Sequence, residues 1–243
     1  MNSVILIPAY KPDKQILSNI VEQIAAFDVI KIIIVDDGSG SDYKFVFSHL
    51  ETICKVSVLY HQNNQGKGAA LRTGFRHVVE SNVICGNVIT VDADGQHLPE
   101  DVAKLIKEIE KYPDDLILGV RRFKGSDQEI PLRSLLGNKI TCLIFRGVVG
   151  RTISDTQTGL RGIPRYLLKD IISLTSERYA FELEMLLTLL QRGIPCKEVS
   201  IATVYEDNNS ASSFRPVFDS ILIYKTLFIW WIASRFKQWR FIK

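Results

Sequence analysis

The first 121 residues alternate between short apolar segments and longer segments with helical periodicity. The apolar segments are rich in valine and isoleucine and lie at residues 3–7, 29–35, 55–61, 87–91 and 116–120. Because these runs are continuous, with no polar residue at every second position, they predict strands that are buried on both faces. Strands that alternate with helices predict an α/β fold, in which helices cover both faces of an open, mainly parallel sheet.

Polar or functional side chains stand at the ends of these predicted strands. They are residues 8–10 (PAY), Asp36 with Asp37, Asp92 with Asp94, and Arg121. The carboxyl ends of parallel strands lie at one edge of the sheet, and open α/β sheets bind their ligands outside that edge. The sequence therefore predicts an active site at the carboxyl edge of the sheet.

Residues 87–99 (NVITVDADGQHLP) carry the most specific chemistry along this edge. Alternate residues of an extended segment point to the same side, so Asp92 and Asp94 present two carboxylates together. Carboxylate oxygens, with Gln96 just beyond, are the hard ligands that Mg²⁺ or Mn²⁺ prefers. The alternative is an acidic turn that leads into a helix beginning near Pro99.

The composition indicates an ordinary globular protein. The chain has 243 residues, of which 46% are hydrophobic and 23% charged, and this predicts one well-packed domain. A net charge of +3 is too small to indicate a nucleic-acid partner. The cysteines are widely spaced without a CxxC pair, which predicts buried thiols in a reducing compartment. The first residues do not form a signal-peptide pattern, so the expected location is the cytoplasm.

The alternation ends after Arg121, and a second half follows. Its predicted elements are a helix at 134–149, a polar connection at 154–161, an amphipathic helix at 179–191 and a strand at 196–204. We therefore expect one catalytic domain over residues 1–215, with a nucleotide half at 1–121 and an acceptor half at 122–215. Residues 216–243 form a separate helical tail in this prediction.

Seven motifs occur in order over about residues 3–215, namely VILIPAYK, IIIVDDGSG, NNQGKGAALRTG, VDADGQHLPED, GVRR, SDTQTGLRGIP and YAFELEMLL. In this order they resemble the motifs of family 2 glycosyltransferases. Within that family the chain most resembles dolichyl-phosphate mannosyltransferase and bacterial polyprenyl-phosphate glycosyltransferases. The resemblance implies a GT-A fold, a nucleotide-sugar donor, a divalent metal (Mg²⁺ or Mn²⁺) and inversion at the anomeric carbon.

The resemblance also implies which residues bind the donor and the metal. Pro8 and Tyr10 would flank the nucleotide, and Val35 and Asp37 would contact its base and ribose. The other implied donor-binding residues are Lys67, Asp92, Ala93 and Arg121. The implied metal ligand is Asp94, with Asp92 and Gln96 as additional ligands.

Several of these residues have simpler explanations. Asp36 and Asp37 also suit a turn or a helix cap. Residues 66–68 (GKG) lack the GxxxxGK[ST] spacing of a phosphate loop, so Lys67 can equally be a solvated lysine on a turn. Arg121 can be a surface arginine at a strand end.

On the acceptor side, the resemblance places Asp155 and Arg161 in a motif of the family. Glu182 and Glu184 resemble its acidic pair, although on a helix they can also be ordinary solvent-facing carboxylates. Asp94, Asp155 and Glu184 are therefore the predicted catalytic residues. The last loop departs from the mannosyltransferases, because Tyr205 stands near their arginine and Ser212-Ser213 near their Ser-Lys pair. Arg215 is a candidate for the missing cation, and both UDP and GDP remain open as the nucleotide.

The tail at 216–243 is rich in aromatic residues, and all its charges after Asp219 are basic. Its longest uncharged run, residues 226–234, is far shorter than the roughly 20 residues of a spanning helix. The pattern predicts a helix in the plane of an anionic membrane surface. The alternatives are packing on the catalytic domain, on a second copy of the chain, or on a membrane-protein partner.

The sequence thus predicts transfer of a hexose from a UDP- or GDP-sugar to a polyprenyl phosphate at the inner face of the cell membrane. A sugar hydroxyl of a polysaccharide or glycolipid is the alternative acceptor. Other classes fit less well. A phosphatase of the haloacid-dehalogenase type would carry DxDGT on its first strand, whereas this chain has DGQ at 94–96 after its fourth predicted strand. A nucleotidyltransferase would have a glycine-rich, basic loop after its first strand, where this chain has PAYKP at residues 8–12. A non-catalytic nucleotide-sugar-binding subunit would not need Asp92, Asp94 and Gln96.

Overall fold

The computed structural model describes residues 3–81, 83–121, 141–147, 149–202 and 216–240, with side chains in the last helix over 218–232. The strands of this part of the chain are β1 (Ser3–Ala9), β2 (Lys31–Asp36), β3 (Val56–Tyr60), β4 (Asn87–Thr90), β5 (Leu116–Arg121), β6 (Arg161–Pro164) and β7 (Cys196–Ile201). The helices are α1 (Lys14–Ala25), α2 (Lys44–Glu51), α3 (Lys67–Glu80), α4 (Pro99–Lys111), α5 (residues 141–147), α6 (Leu168–Ile172), α7 (Ala180–Gln191) and α8 (Pro216–Arg240).

The described strands form one sheet in the order β3-β2-β1-β4-β6-β5-β7. The strand pairs β1–β2, β2–β3, β1–β4 and β5–β7 are parallel, whereas β6 is antiparallel to both of its neighbours. Strand β1 lies inside the sheet, with Ile5 paired to Ile32 on one side and to Ile89 on the other. The predicted mainly parallel sheet is confirmed.

Alternate residues of β1 enter two separate hydrophobic cores. Val4 and Leu6 pack in a cluster that includes residues of α3 and α7. Ile5 and Ile7 pack in a second cluster with residues of α1, α2 and α4. Every residue of β1 is buried, because helices cover both faces of the sheet. This two-sided cover explains the continuous apolar runs of the sequence.

Strand β6 was missed by the sequence pattern, which predicted only a polar connection ending at Arg161. The strand has four residues (RGIP), too few and too polar for a periodic signal. Gly162 allows it to lie close beneath α4, since a Cβ there would stand 2.5 Å from Ile109 Cδ1. Tertiary packing, not local propensity, makes this segment a strand.

Two other predictions about the second half need correction. Helix α7 is not amphipathic, because nine of its twelve residues are buried, Glu182 among them. Strand β7 ends at Ile201, before the predicted end at residue 204, and residues 203–204 lie outside the described residues. The predicted helix at 134–149 is described only over 141–147 and at 149.

In the first half, one prediction about the cysteines is wrong. Cys54 is exposed, whereas the sequence predicted buried thiols.

The tail is a single helix, α8, with two different faces. Asp219, Ile223, Thr226 and Leu227 are buried, and the helix packs against α7. Among the described side chains of this helix, the large apolar ones that are exposed are Phe218, Ile221, Tyr224, Phe228, Ile229 and Trp231. Among the helices of the described residues, none combines the length and the apolar character needed to cross a bilayer.

We expect Gly74→Ala in α3 to destabilise the fold. A Cβ at this position would stand 2.1 Å from Cδ1 of Leu6, which is fully buried in β1. Alanine favours a helix over glycine by about 1 kcal/mol, but overpacking a core costs about 1–3 kcal/mol. Because the added Cβ would stand only 2.1 Å from Leu6, we expect the upper end of this cost, and urea denaturation should show a net loss of about 2 kcal/mol.

Gly147→Ala in α5 is the matched control, because a Cβ there would have no atom within 4 Å. It should be neutral or stabilise by up to about 1 kcal/mol. A Gly74→Ala variant as stable as the unchanged chain would contradict the packing of α3 on β1.

Candidate active site

A cavity of about 300 Å³ opens beside the carboxyl ends of β1 and β4. Its walls come from the end of β1, the residues after β4, the turn that precedes α3, and the residues just before α7. The predicted site residues on these walls are Pro8, Tyr10, Asp37, Lys67, Asp92, Ala93 and Asp94. The sheet edge thus brings together predicted site residues that are up to 86 positions apart in the sequence, Pro8 and Asp94.

Other predicted site residues do not line this cavity. The side chain of Val35 is fully buried in β2. Gln96, Arg121, Asp155 and Glu184 lie away from the cavity wall. Arg215 falls outside the described residues.

The carboxylate of Asp37 organises the turn that leads into α3. It accepts hydrogen bonds from Asn64 Nδ2 (2.9 Å), the Gln65 backbone N–H (2.9 Å) and the Gly66 backbone N–H (2.7 Å). His61 Nδ1 lies 2.7 Å from Oδ1, and its Nε2 lies 2.9 Å from Thr73 Oγ1. Both oxygens of Asp37 are therefore engaged by the protein itself. Its neighbour Asp36 accepts from the Ser39 backbone N–H, as a turn residue does.

The two glycines of the GKG motif allow residues 178–181 to pack on this turn. Gly66 has a φ of 90°, and a Cβ on it would lie 3.0 Å from Arg178 Cγ. A Cβ on Gly68 would lie 2.7 Å from Phe181 Cβ. Close backbone approach therefore explains this motif without a phosphate loop.

Lys67, between these glycines, is a largely buried cation shared by two acids. Its Nζ lies 2.7 Å from Asp92 Oδ1 and 2.8 Å from Glu182 Oε2, and 5.3 Å from the centre of the Tyr179 ring. Burial lowers the pKa of Lys67, but the two carboxylates outweigh it and leave that pKa raised well above its ordinary value. Lys67 is therefore not a solvated turn residue.

Asp92 and Asp94 differ in how readily they ionise. Burial opposes ionisation of Asp92, but the charge of Lys67 outweighs it, and the pKa of Asp92 is lowered. Burial and the nearby Asp92 charge raise the pKa of Asp94. Asp94 Oδ1 accepts a hydrogen bond from the Gln96 backbone N–H at 3.1 Å. A Cβ on Gly159 would stand 2.2 Å from Asp92 Oδ2, so glycine is needed where the chain passes this carboxylate.

This environment fits a divalent cation at Asp94. A cation would offset the unfavourable charge that raises the pKa of Asp94, and the available donors are oxygens. Among the described residues, no group of three or more His, Cys, Asp or Glu side chains is arranged to hold a metal. Mg²⁺ typically binds one or two protein carboxylates and completes its coordination with water and substrate phosphates. Asp94 and the neighbouring Asp92 on the cavity wall match this pattern.

Arg121 and Asp155, predicted separately for the donor and the acceptor, contact each other. Arg121 Nε donates to Asp155 Oδ2 at 2.7 Å, and its Nη2 donates to Oδ1 at 3.1 Å. Asp155 is fully buried and also accepts from the Gln157 backbone N–H at 3.0 Å. The pair connects the end of β5 to the loop that precedes β6.

The two glutamates of α7 point to different surroundings. Glu184 Oε2 accepts from the Ser176 backbone N–H at 2.8 Å. Glu182 is buried and holds Lys67, and its Oε1 has no hydrogen-bond partner in the described structure. Arg161, also fully buried, donates to the carbonyl oxygens of Glu182 (2.6 Å) and Thr158 (2.8 Å). Neither glutamate is thus an ordinary solvent-facing carboxylate.

Sequence reasoning missed Asn64, Arg178 and Tyr179 on the cavity wall. Arg178 Nε donates to Asp219 Oδ1 at 2.7 Å, and its Nη2 donates to Oδ2 at 3.2 Å. The two residues are 41 positions apart, and no spacing rule links them. Tyr179 and Asn64 belong to the quoted motifs YAFELEMLL and NNQGKGAALRTG, which were the available signals.

We expect Lys67→Met to destabilise the protein by about 3 kcal/mol, because it leaves two largely buried carboxylates without their cation. Adding Glu182→Gln should recover part of this loss, since it removes one of the two charges. Lys111→Met, which breaks an exposed pair with Glu108, should leave the stability nearly unchanged. Urea denaturation measures all three variants, and equal losses at Lys67 and Lys111 would contradict the shared cation.

Three kinds of comparison with known proteins all point to glycosyltransferases. Residues 4–172 match the model of glycosyl transferase family 2. The UDP-N-acetylglucosamine–dolichyl-phosphate N-acetylglucosaminyltransferase of Methanococcus voltae is 29% identical over 240 residues, covering 93% of this chain and 94% of that protein. Polyprenol monophosphomannose synthase of Mycolicibacterium smegmatis is 27% identical over 205 residues, covering 82% of this chain and 76% of that protein.

Among solved structures, the fold is similar to glucosyl-3-phosphoglycerate synthase from Mycobacterium tuberculosis in complex with UDP. The TM-score is 0.68 at 19% identity, and the match covers 94% of this chain and 79% of that chain. This likeness confirms the predicted fold, and the family match confirms the predicted enzyme class. The chain therefore belongs to glycosyl transferase family 2.

Proposed function

We propose that this glycosyltransferase moves a hexose, with inversion, from a UDP- or GDP-sugar to a polyprenyl phosphate at the cytoplasmic face of the cell membrane. The observation that carries the proposal is the cavity at the ends of β1 and β4, where Asp92 and Asp94 form part of the wall. Relatives that act on dolichyl or polyprenyl phosphate match nearly the whole chain or most of it, which supports the lipid acceptor.

In this proposal the donor lies between the β1 end and the turn before α3. Pro8, Ala93 and the partly exposed Tyr10 provide surfaces for the nucleotide. Asn64 lies on the same wall and is held by Asp37. Four groups at residues 61–66 contact the Asp37 carboxylate. In this proposal Asp37 therefore fixes the conformation of the turn against which the nucleotide binds.

Mg²⁺ or Mn²⁺ would be held by Asp94, with Asp92 and Gln96 beside it. When bound, the metal neutralises the charge that develops on the leaving nucleotide diphosphate. Lys67 keeps Asp92 ionised and fixes its orientation, because its ammonium is locked between Asp92 and Glu182. The nucleotide half of the site is thus shaped before substrate enters.

The engagement of Asp155 and Glu184 favours a phosphate acceptor over a sugar hydroxyl. A lipid phosphate is anionic near neutral pH and needs little help from a general base, whereas a hydroxyl needs one. Asp155 is paired with Arg121, and Glu184 accepts a hydrogen bond from Ser176, so both carboxylates are already engaged by the protein. Their contribution in this proposal is to position the acceptor side of the site.

We expect Asp94→Ala to abolish transfer. The substitution removes the acid that would hold the metal, and the rate should fall about a thousandfold or more. The measurement is transfer of labelled sugar from a panel of UDP- and GDP-sugars to undecaprenyl or dolichyl phosphate with Mg²⁺. Asp114→Ala, an exposed acid on the turn before β5, is the control and should retain full activity.

The same assay separates the alternatives. Adding EDTA should stop transfer, and excess Mg²⁺ should restore it. Transfer to a soluble glycan but not to the lipid phosphate would favour the hydroxyl acceptor, and Asp155→Asn should then cost as much as Asp94→Ala. A chain that binds no nucleotide sugar in the presence of Mn²⁺ would contradict the enzyme proposal.

The exposed face of α8 supports contact with the membrane. Phe228 and Trp231 stack on this face with their ring centres 6.2 Å apart, and both are exposed. The charges that follow Asp219 are basic, at Lys225, Arg235, Lys237, Arg240 and Lys243. Aromatic residues with basic charge suit an anionic lipid surface.

We expect the double change Phe228→Ala with Trp231→Ala to weaken binding to phosphatidylglycerol vesicles by about tenfold or more, because burying a large apolar side chain contributes about 1.5–3 kcal/mol. Vesicle sedimentation measures the effect. Phe45→Ala on α2, which removes a side chain that is 86% exposed, is the control and should bind as the unchanged chain does. Unchanged vesicle binding with loss of a dimer would instead identify this face as a contact between two copies.

A further inference from the structure

Helix α8 is joined to the cavity wall by a buried ion pair. Asp219, in the first turn of α8, is fully buried, and Arg178 binds both oxygens of its carboxylate at 2.7 and 3.2 Å. Arg178 itself lines the cavity, whereas Asp219 does not. Among the described residues, the tail helix therefore contacts the wall of the site at a defined side chain, Arg178.

Arg178 also packs closely against Gly66 and Gly68 at the start of α3. A Cβ added to Gly66 would stand 3.0 Å from Cγ of Arg178, and a Cβ added to Gly68 would stand 3.0 Å from the carbonyl oxygen of Arg178. The Arg178 φ of 51° is in the left-handed region, which an arginine rarely adopts. Such a backbone persists only where surrounding contacts hold it, and the ion pair with Asp219 is one of these contacts.

The turn in contact with Arg178 carries Lys67, whose ammonium lies 2.7 Å from Asp92 Oδ1. Ion pairs thus join Asp219 to Arg178 and Lys67 to Asp92. Between these two pairs, Arg178 approaches the glycines on either side of Lys67 so closely that neither leaves room for a Cβ. The series ends at the first acid of the Asp-x-Asp motif.

We propose that Asp219 is a positioning residue of the donor site, which acts by holding Arg178 and, through it, the turn that places Lys67 against Asp92. This inference rests on the proposed function, because it concerns how well the same cavity binds a nucleotide diphosphate. It means that the donor site is complete only when the first turn of α8 is docked. The helix with the exposed aromatic face then also supports, through Arg178, the wall that shapes the donor site.

The physical reason is the geometry of the pair. Removing one partner of a buried, two-point ion pair takes away the compensation that this partner gives to the other charge, so we expect the side chain of Arg178 to move toward water. Arg178 is close enough to the surface to do so, since 17% of its side chain is exposed. The backbone at residue 178 would then relax from its left-handed conformation, and the contact with Gly66 and Gly68 would loosen.

The test is Asp219→Asn in the full chain, which keeps the shape of the side chain and removes its charge. Isothermal titration calorimetry with UDP and with GDP, each with Mn²⁺, measures binding. We expect the Kd of the nucleotide that binds to rise about tenfold, as for the loss of a coupled ion pair. Arg178→Met should have a similar effect, and Asp219→Asn should add nothing in that background, because Asp219 acts through Arg178.

Asp170→Asn is the matched control, because it breaks the partly exposed pair between Asp170 and Arg192, neither of which lines the cavity. It should leave the Kd unchanged. Thermal melts separate positioning from stability: a lower Tm for Asp219→Asn with an unchanged Kd would overturn the inference. Additive effects of the two substitutions would overturn it as well.

A conservative variant separates the loss of this ion pair from a general loss of folding. Arg178→Lys keeps the charge but loses the two-point geometry, so its Kd should lie between those of the unchanged chain and Arg178→Met. A Kd for Arg178→Lys and Asp219→Asn equal to that of the unchanged chain would overturn the inference while leaving the proposed function intact. An unchanged chain that binds neither nucleotide would overturn the proposed function itself.

Discussion

The ammonium of Lys67 is the interaction on which the site depends. It joins the end of β4, through Asp92, to α7, through Glu182, at distances of 2.7 and 2.8 Å. Without this cation two largely buried carboxylates would face each other, which is costly in a low-dielectric interior. With it, Asp92 is ionised and oriented at the sheet edge, while Asp94 stays harder to ionise. The two acids of one short motif thus differ in their electrostatics.

Close approach of backbone segments makes this arrangement possible. Gly66 and Gly68 admit residues 178–181 beside Lys67, and Gly159 admits the carboxylate of Asp92. Arg161 holds the neighbouring loop to α7 by donating to three backbone carbonyl oxygens, those of Thr156, Thr158 and Glu182. Glycines and buried cations therefore bring together the start of α3, the residues after β4 and the start of α7. Such preorganisation is what an enzyme needs in order to stabilise developing charge without rearranging.

Helix α8 connects this centre to the outer surface. Its inner face packs against α7 and carries Asp219, whereas its outer face exposes stacked Phe228 and Trp231. An enzyme that acts on a lipid phosphate must bring a polar site close to an apolar phase, and a helix with these two faces suits that geometry. Within the described residues, the pair of Arg178 and Asp219 is where the tail meets the cavity wall.

By itself the sequence determined the alternation of strands and helices, the sheet edge with Asp92 and Asp94, and the membership of glycosyl transferase family 2. These features are local, because runs of apolar residues and motif order are read along the chain. Only the tertiary structure decided that Arg121 pairs with Asp155, that Glu182 rather than Glu184 faces Lys67, and that residues 161–164 form a strand. It also joined Arg178 to Asp219, 41 positions away. Such pairings depend on which distant segments pack together, and neither the helical nor the strand period encodes that.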